Sequence, residues 1–499
     1  MADSISSSDA LTPPPPPPRP AEAMSGSFQV SPPPPPPPIV SNPSHAPAAP
    51  SPTPARPRRK FPKILIFLLF LLVFLAGGAY LITKLPNSPI GSPVTLTYWG
   101  LWEPDSVMRP ILDEFEASHP KIKVQYVKQS PEEYRERLQS SLSQGKGPDI
   151  FRIHNTWVPM FRQFLSPVPS SVYSTSDYDK FFYPTTRTDL TSGSNYVAVP
   201  LMIDGLGMYV NNDLFKQAGV SVPKNWDDLR TAALALSKCR SESGACLNNS
   251  FVEVSGVAMG STENIDHWQD LLAVLMLQNN VNLNKPDSPS PTAAEDVISY
   301  FNSFNKTYYI WNSNLPNSTN QFINGKLAIY FAPSWRVFEI MQANPKLNFD
   351  IYPIPQVPID PARNEKPITW ATYWAEAVNS NSKNSTQSWE LIKYLSSPEV
   401  MTKFYEKAVS SPRQFGEPYS RTDMANLVSG SKYIGPYVSQ APYAASWYIA
   451  SKTYDGQSGL NSKLSAAFAS ALSQGTSVQA LSQEINKILS QYGIVAATP

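Results

Sequence analysis

An α/β fold built on a parallel sheet is predicted for residues 94–499, behind a proline-rich tail and one membrane-spanning helix. Three observations predict it. Strand-like and helix-like patterns alternate from Val94 onward, a charge-free apolar run fills Ile64–Thr83, and 20 of the chain's 52 prolines fall within residues 1–60.

Proline donates no backbone hydrogen bond and its ring blocks the helical register. So proline-dense a segment lacks the apolar surface to offset its ordering entropy, and residues 1–60 read as a disordered or polyproline II tail. Pro13–Pro18 and Pro32–Pro38 suit a stiff spacer or a ligand for a proline-recognising partner. Residues 61–83 read as a transmembrane helix, since about 20 residues at about 1.5 Å rise match a bilayer's hydrocarbon core. Arg56, Arg58, Arg59, Lys60 and Lys63 precede the run and only Lys84 follows it closely. The positive side stays cytoplasmic. The expected protein is therefore single-pass in the cell membrane, with its tail cytoplasmic, residues 84–93 a linker, and residues 94–499 extracytoplasmic. The competing reading is a cleaved signal peptide, with Gly77-Gly78-Ala79 as its cleavage site.

Beyond the linker, Val94–Tyr98 and Ile122–Tyr126 alternate apolar with polar, as half-buried strands do. Between them Val107, Ile111, Leu112 and Phe115 recur at helical spacing. A second helix through Tyr134 and Leu138 leads to the turn Gly145–Asp149 and the apolar run Ile150–Ile153. Strand–helix–strand–helix–strand implies parallel pairing with right-handed crossovers. Asn225 is placed to cap a helix opening at Trp226, with Asp227 and Asp228 in its positive first turn. Thr476–Gln479 has the capping-box pattern ahead of Leu481, Ile485, Ile488 and Leu489. Trp268 opens a segment read as an amphipathic helix through Leu271, Leu272, Leu275 and Met276.

Composition narrows the function. A net charge of +1 is not that of a generally basic nucleic-acid binder, and two cysteines with four histidines leave little room for a Cys/His metal site. No cofactor is expected. The 24 Tyr, 22 Phe and 11 Trp supply a core large enough for two lobes.

Seven pieces, in order, carry a family resemblance: Leu96–Trp99; Gly147–Ile150; Val199-Pro200 with Gly207–Gly219; Pro223–Asp228; Phe322–Ala328 with Ser334-Trp335; Trp389–Pro398; and Gly475–Leu489. Over residues 94–499 the chain resembles the family 1 extracellular solute-binding proteins, the sugar- and maltodextrin-binding group of ABC importers. The resemblance implies a two-lobe periplasmic-binding-protein fold, type II-like, closing about a hinge. Lobe 1 would comprise about 94–203 and 367–410, and lobe 2 about 207–365 and 413–499. It also implies permease subunits as partners.

A sugar presents an apolar face that stacks on aromatic rings and a rim of hydroxyls that need polar partners when buried. Aromatic and polar residues that neighbour one another are therefore the binding candidates. They are Trp102 and Glu103 after the first strand; Asn155 and Trp157 after the third; Trp268; Trp370 and Tyr373; and, from the resemblance, Asp204, Trp335, Arg413 and Trp447. For Trp268 the alternative is core packing, for Asp204 a structural cap, and for Arg413 a hinge contact. No Lys/Arg cluster calls for a phosphate, which points to a neutral sugar. With the binding domain outside the membrane, Cys239 and Cys246 can close a small disulfide loop; two free thiols are the alternative. The leading function is a membrane-tethered receptor that is not an enzyme. An anchored carbohydrate-active enzyme and a sensor signalling through the tail are the alternatives.

Overall fold

The computed structural model describes residues 93–494 except 242–244, 249, 360–361, 363–364 and 410–415. The proline-rich tail, the apolar run and Arg413 lie outside the described residues. Among the described residues, no helix is long and apolar enough to cross a membrane.

Strands β1 (Val94–Gly100), β2 (Ile122–Lys128) and β3 (Ile150–His154) pair in parallel around β1, joined by the helices Asp105–Ser118 and Tyr134–Ser143. A short hairpin, β4 (Thr191–Ser192) and β5 (Asn195–Tyr196), precedes β6 (Val199–Pro200). The chain then leaves this sheet and builds a second one from β7 (Gly207–Asn211), β8 (Lys238–Arg240), β9 (Phe251–Val257), β10 (Leu327–Ala332) and β11 (Phe349–Tyr352). It returns through β12 (Thr369–Trp370) to β13 (Trp374–Val378), and crosses again through β14 (Ala444–Ala445). The sheets are ordered β2-β1-β3-β13-β6 and β11-β7-β10-β9-β8.

Each sheet has its own core. Leu96, Tyr98, Phe115, Trp389 and Phe404 pack together in one cluster beside the first sheet, and Phe151, Ile153, Trp157 and Phe161 in another. Met208, Val257, Leu271, Tyr330 and Phe468 share the core of the second. The helix Trp268–Gln278 is buried on nearly every side rather than amphipathic, because it lies inside this core against the helix Thr292–Lys306. Asn225 caps as expected, its Oδ1 accepting from Asp228 N at 2.8 Å. At the last helix the cap is Ser477, one residue beyond the start of the expected box. Ser477 Oγ accepts from Ala480 N, while Thr476 Oγ1 bonds Ser470 Oγ.

Among the described residues, three segments connect the sheets, and they are hydrogen-bonded to one another. Met202 bridges Tyr419, Gly205 bridges Ala371, and β12 pairs in parallel with β14. A Cβ on Gly205 would stand 2.0 Å from the carbonyl oxygen of Trp370, so only glycine lets these backbones approach so closely. Cys239 and Cys246 are disulfide-bonded across one loop beside β8, with Cα atoms 5.0 Å apart.

Candidate functional site

The strand ends of both sheets converge on one cavity with about 890 Å³ of non-protein space, mouth included. The loop after β1 brings Trp102, β3 brings Arg152 and His154, and the segment after β6 brings Leu201–Asp204. The turn after β10 brings Trp335, and the segment before helix Leu460–Gln474 brings Ser451, Lys452 and Tyr454. These lie at carboxyl ends of strands, where open α/β sheets bind ligands. Strand β13 runs antiparallel to β3, so its first residues meet the end of β3: Trp374 pairs with His154 and Glu376 with Arg152. That pairing adds Thr372, Tyr373, Trp374 and Glu376 to the lining.

The floor is ionic. Arg152, 2% exposed, donates from Nη1 to both oxygens of Glu103 at 2.7 Å and from Nε to Glu376 Oε1 at 2.7 Å. Both carboxylates are buried as deeply. An arginine in the middle of a wholly buried strand is tolerable only with such partners. Burial pushes the Glu376 carboxyl upward, while Arg152 opposes the shift. Behind them His154 bonds Thr156 Oγ1 and Thr372 Oγ1, and burial lowers its pKa to about 3, so it is neutral at physiological pH.

The walls are aromatic. Trp102 meets Trp374 edge-on at 5.6 Å and Tyr454 at 5.7 Å, and Trp374 leans on His154 and Trp157. Trp335 stands on the opposite sheet, one face covered by the Arg336 guanidinium 4.3 Å from its centroid. Asp204 joins the two sides. Its carboxylate accepts from Ser334 N, Ser334 Oγ and Gly205 N at 2.7–3.1 Å. Burial raises its pKa to about 7, although each of those bonds favours the ionised form.

Of the residues expected from sequence, Trp102, Asp204, Trp335 and Tyr373 line this cavity. Glu103 stands behind it as a partner of Arg152. Trp157 is fully buried between Tyr134 and Phe161. Trp268 and Trp370 are core residues of the second sheet, with Trp370 Nε1 donating to the buried Asp270 at 2.7 Å. Asn155 and Trp447 line a separate cavity with Arg162, Asp189, Asn284 and Ser446. There Asn155 Nδ2 donates to Asp189 and Trp447 Nε1 to Asn284. Sequence reasoning missed Arg152, His154, Ser451 and Tyr454. The available signal was Arg152, a cation inside the apolar run Ile150–Ile153 that required buried acids nearby.

Two α/β lobes, joined by three hydrogen-bonded crossings and enclosing a cavity lined from both, define a two-lobed binding protein. The chain belongs to the bacterial extracellular solute-binding proteins, whose family model matches residues 101–402. Among solved structures it resembles the sugar-binding protein MalE from Xanthomonas citri, with a TM-score of 0.61 and 18% identity, covering 80% of this chain and 98% of that one. It also resembles the GacH receptor of Streptomyces glaucescens, solved unliganded and with acarbose, with a TM-score of 0.59 and 21% identity over 80% and 99% of the two chains. An uncharacterised lipoprotein of Streptomyces antibioticus is 26% identical over 187 residues, which is 35% of this chain and 39% of that protein's length.

Proposed function

We propose that this protein is a membrane-tethered, extracytoplasmic receptor that captures a carbohydrate in the interlobe cavity and delivers it to an ABC-type permease. The observation that carries the reading is the lining itself. Trp102, Trp335 and Trp374 line one cavity together with Thr372, Ser451, Asp204 and Glu376. Rings can stack on the apolar face of a sugar, while the polar groups supply the bonds its hydroxyls need once water is excluded. Named relatives support the same ligand class, including a multiple sugar-binding protein of Streptococcus mutans that is 23% identical over 336 residues.

The distribution of strands between the sheets supports a lobe 1 of about 94–203 and 367–410 and a lobe 2 of about 207–365 and 413–499. Closing the lobes on a ligand gives the permease a ligand-dependent shape to recognise. The tether rests on the charge-free run Ile64–Thr83 and the cations before it. Residues 84–93 would then be a leash reaching at most about 35 Å, which concentrates the receptor at a transporter in the same membrane. Titration calorimetry of the full-length chain in detergent with mono- and oligosaccharides tests the receptor. One-to-one binding without turnover is expected, and glycan hydrolysis without stoichiometric binding would contradict it.

A further inference from the structure

One hydrogen-bonded chain that reaches the cavity has a fixed direction. Arg336 Nε donates to His267 Nε2 at 3.1 Å. A guanidinium has only donors, so Nε2 is the bare, accepting nitrogen of the ring. Burial lowers the His267 pKa, so the ring is neutral and its one proton sits on Nδ1. The neighbours of Nδ1 agree with that placement, with Ser451 Oγ 2.6 Å away and the Asp270 carboxylate 3.7 Å away. Nδ1–H therefore donates to Ser451 Oγ. A serine, a histidine and an aspartate stand together here as they do in nucleophilic hydrolases, but the chain runs the other way. A protonated Nδ1 cannot take the Ser451 proton.

Ser451 is left with its hydroxyl proton to give. Its backbone N–H is taken by the Asp270 carboxylate at 3.1–3.2 Å, its oxygen accepts from His267, and the residue lines the interlobe cavity. Resting on the carbohydrate-receptor reading, we propose that Ser451 is a specificity-determining donor whose hydroxyl proton bonds a hydroxyl oxygen of the bound sugar. The Arg336–His267 chain polarises Ser451 in that direction. A sugar without an accepting oxygen at that point leaves the donor unpaired and is discriminated against. The pairing was not legible in the sequence, where His267 and Ser451 stand 184 residues apart.

The test has two arms on the full-length chain in detergent. Nitrogen NMR of isotope-labelled histidine, assigned by the signal lost in His267→Asn, should show a neutral ring protonated at Nδ1. A His267 ring protonated at Nε2 overturns the inference before any ligand is added. In the second arm, calorimetry with glucose, galactose, mannose, maltose, cellobiose and mannobiose selects the sugar bound most tightly. Ser451→Ala should weaken that sugar about 5–10-fold, and Ser451→Thr should restore most of the loss. One monodeoxy form of the sugar should lose a similar factor in the wild type and nothing further in Ser451→Ala, a coupling that a merely structural serine does not give. Should Ser451→Ala fail to fold, Ser451→Cys, a weak donor, takes its place. Full-strength binding by the variant, or equal weakening of the parent sugar and every monodeoxy form, overturns the role of Ser451 and leaves the receptor standing. A wild type that binds none of these sugars overturns both.

Discussion

Asp204 and Arg152 give the residue-scale account its sharpest tests. Burial holds the Asp204 carboxyl near 7, well above the usual aspartate value of about 3.9. A raised acid pKa means the native state binds the extra proton. The corresponding stability is fully present below about pH 4 and is lost as pH rises through about 7. Its size is on the order of 3–4 kcal/mol. Melting temperature followed across that window should therefore fall more steeply in the wild type than in Asp204→Asn, whose amide does not titrate. Parallel profiles would contradict this. Arg152→Met strands two buried carboxylates and should cost roughly 3–5 kcal/mol in urea unfolding. Adding Glu103→Gln and Glu376→Gln should recover much of that loss, and no recovery would show that Arg152 acts through packing instead. At the same scale, the sequence revealed which residues were chemically suited to a sugar, but not where they point. Trp370 and Trp374 stand in one short run, yet one donates to the buried Asp270 and the other lines the cavity. Two residues along extended backbone normally restore the same face. Here Ala371–Tyr373 lie outside both strands, β12 ending at Trp370 and β13 opening at Trp374, so the strand alternation does not run continuously between the two tryptophans.

At the scale of elements, the crossings and one interlobe clasp position the site. Gly205→Ala forces a methyl into the Trp370 carbonyl, 2.0 Å away, where backbone rather than a flexible side chain must move. Urea unfolding should register a loss of about 2 kcal/mol or more, and a neutral result would show that the crossings can separate freely. From the helix Tyr134–Ser143, Arg135 donates to the Asp455 carbonyl at 2.8 Å and to Ser458 Oγ at 2.5 Å, reaching across to the segment that carries Lys452 and Tyr454. Gly456, at a φ of +68°, lies beneath the Glu136 carboxylate. Arg135→Ala should open this clasp and weaken ligand binding roughly tenfold with little loss of overall stability, read by calorimetry beside thermal unfolding. Unchanged affinity would mean the clasp only decorates the rim. The parallel β2-β1-β3 unit was legible because local periodicity and short crossovers determine it. The second sheet's mixed order, the clasp and the burial of helix Trp268–Gln278 were not, since each depends on partners far away in sequence.

At the scale of the whole molecule, the proposed tether would keep the proposed sugar receptor at the membrane. Immunoblotting of membrane and released fractions tests the tether: full-length protein should remain with the membrane, and a soluble form beginning near Tyr80 would contradict it. The central claim, that the interlobe cavity binds a carbohydrate, is tested most directly by calorimetric titration of the full-length chain, wild type beside Trp102→Ala and Trp335→Ala. The account predicts one-to-one binding of a sugar that weakens about 10–100-fold in each variant, consistent with loss of one stacking ring. Sugar binding that both variants retain at full strength, or no sugar binding by the wild type, would contradict it.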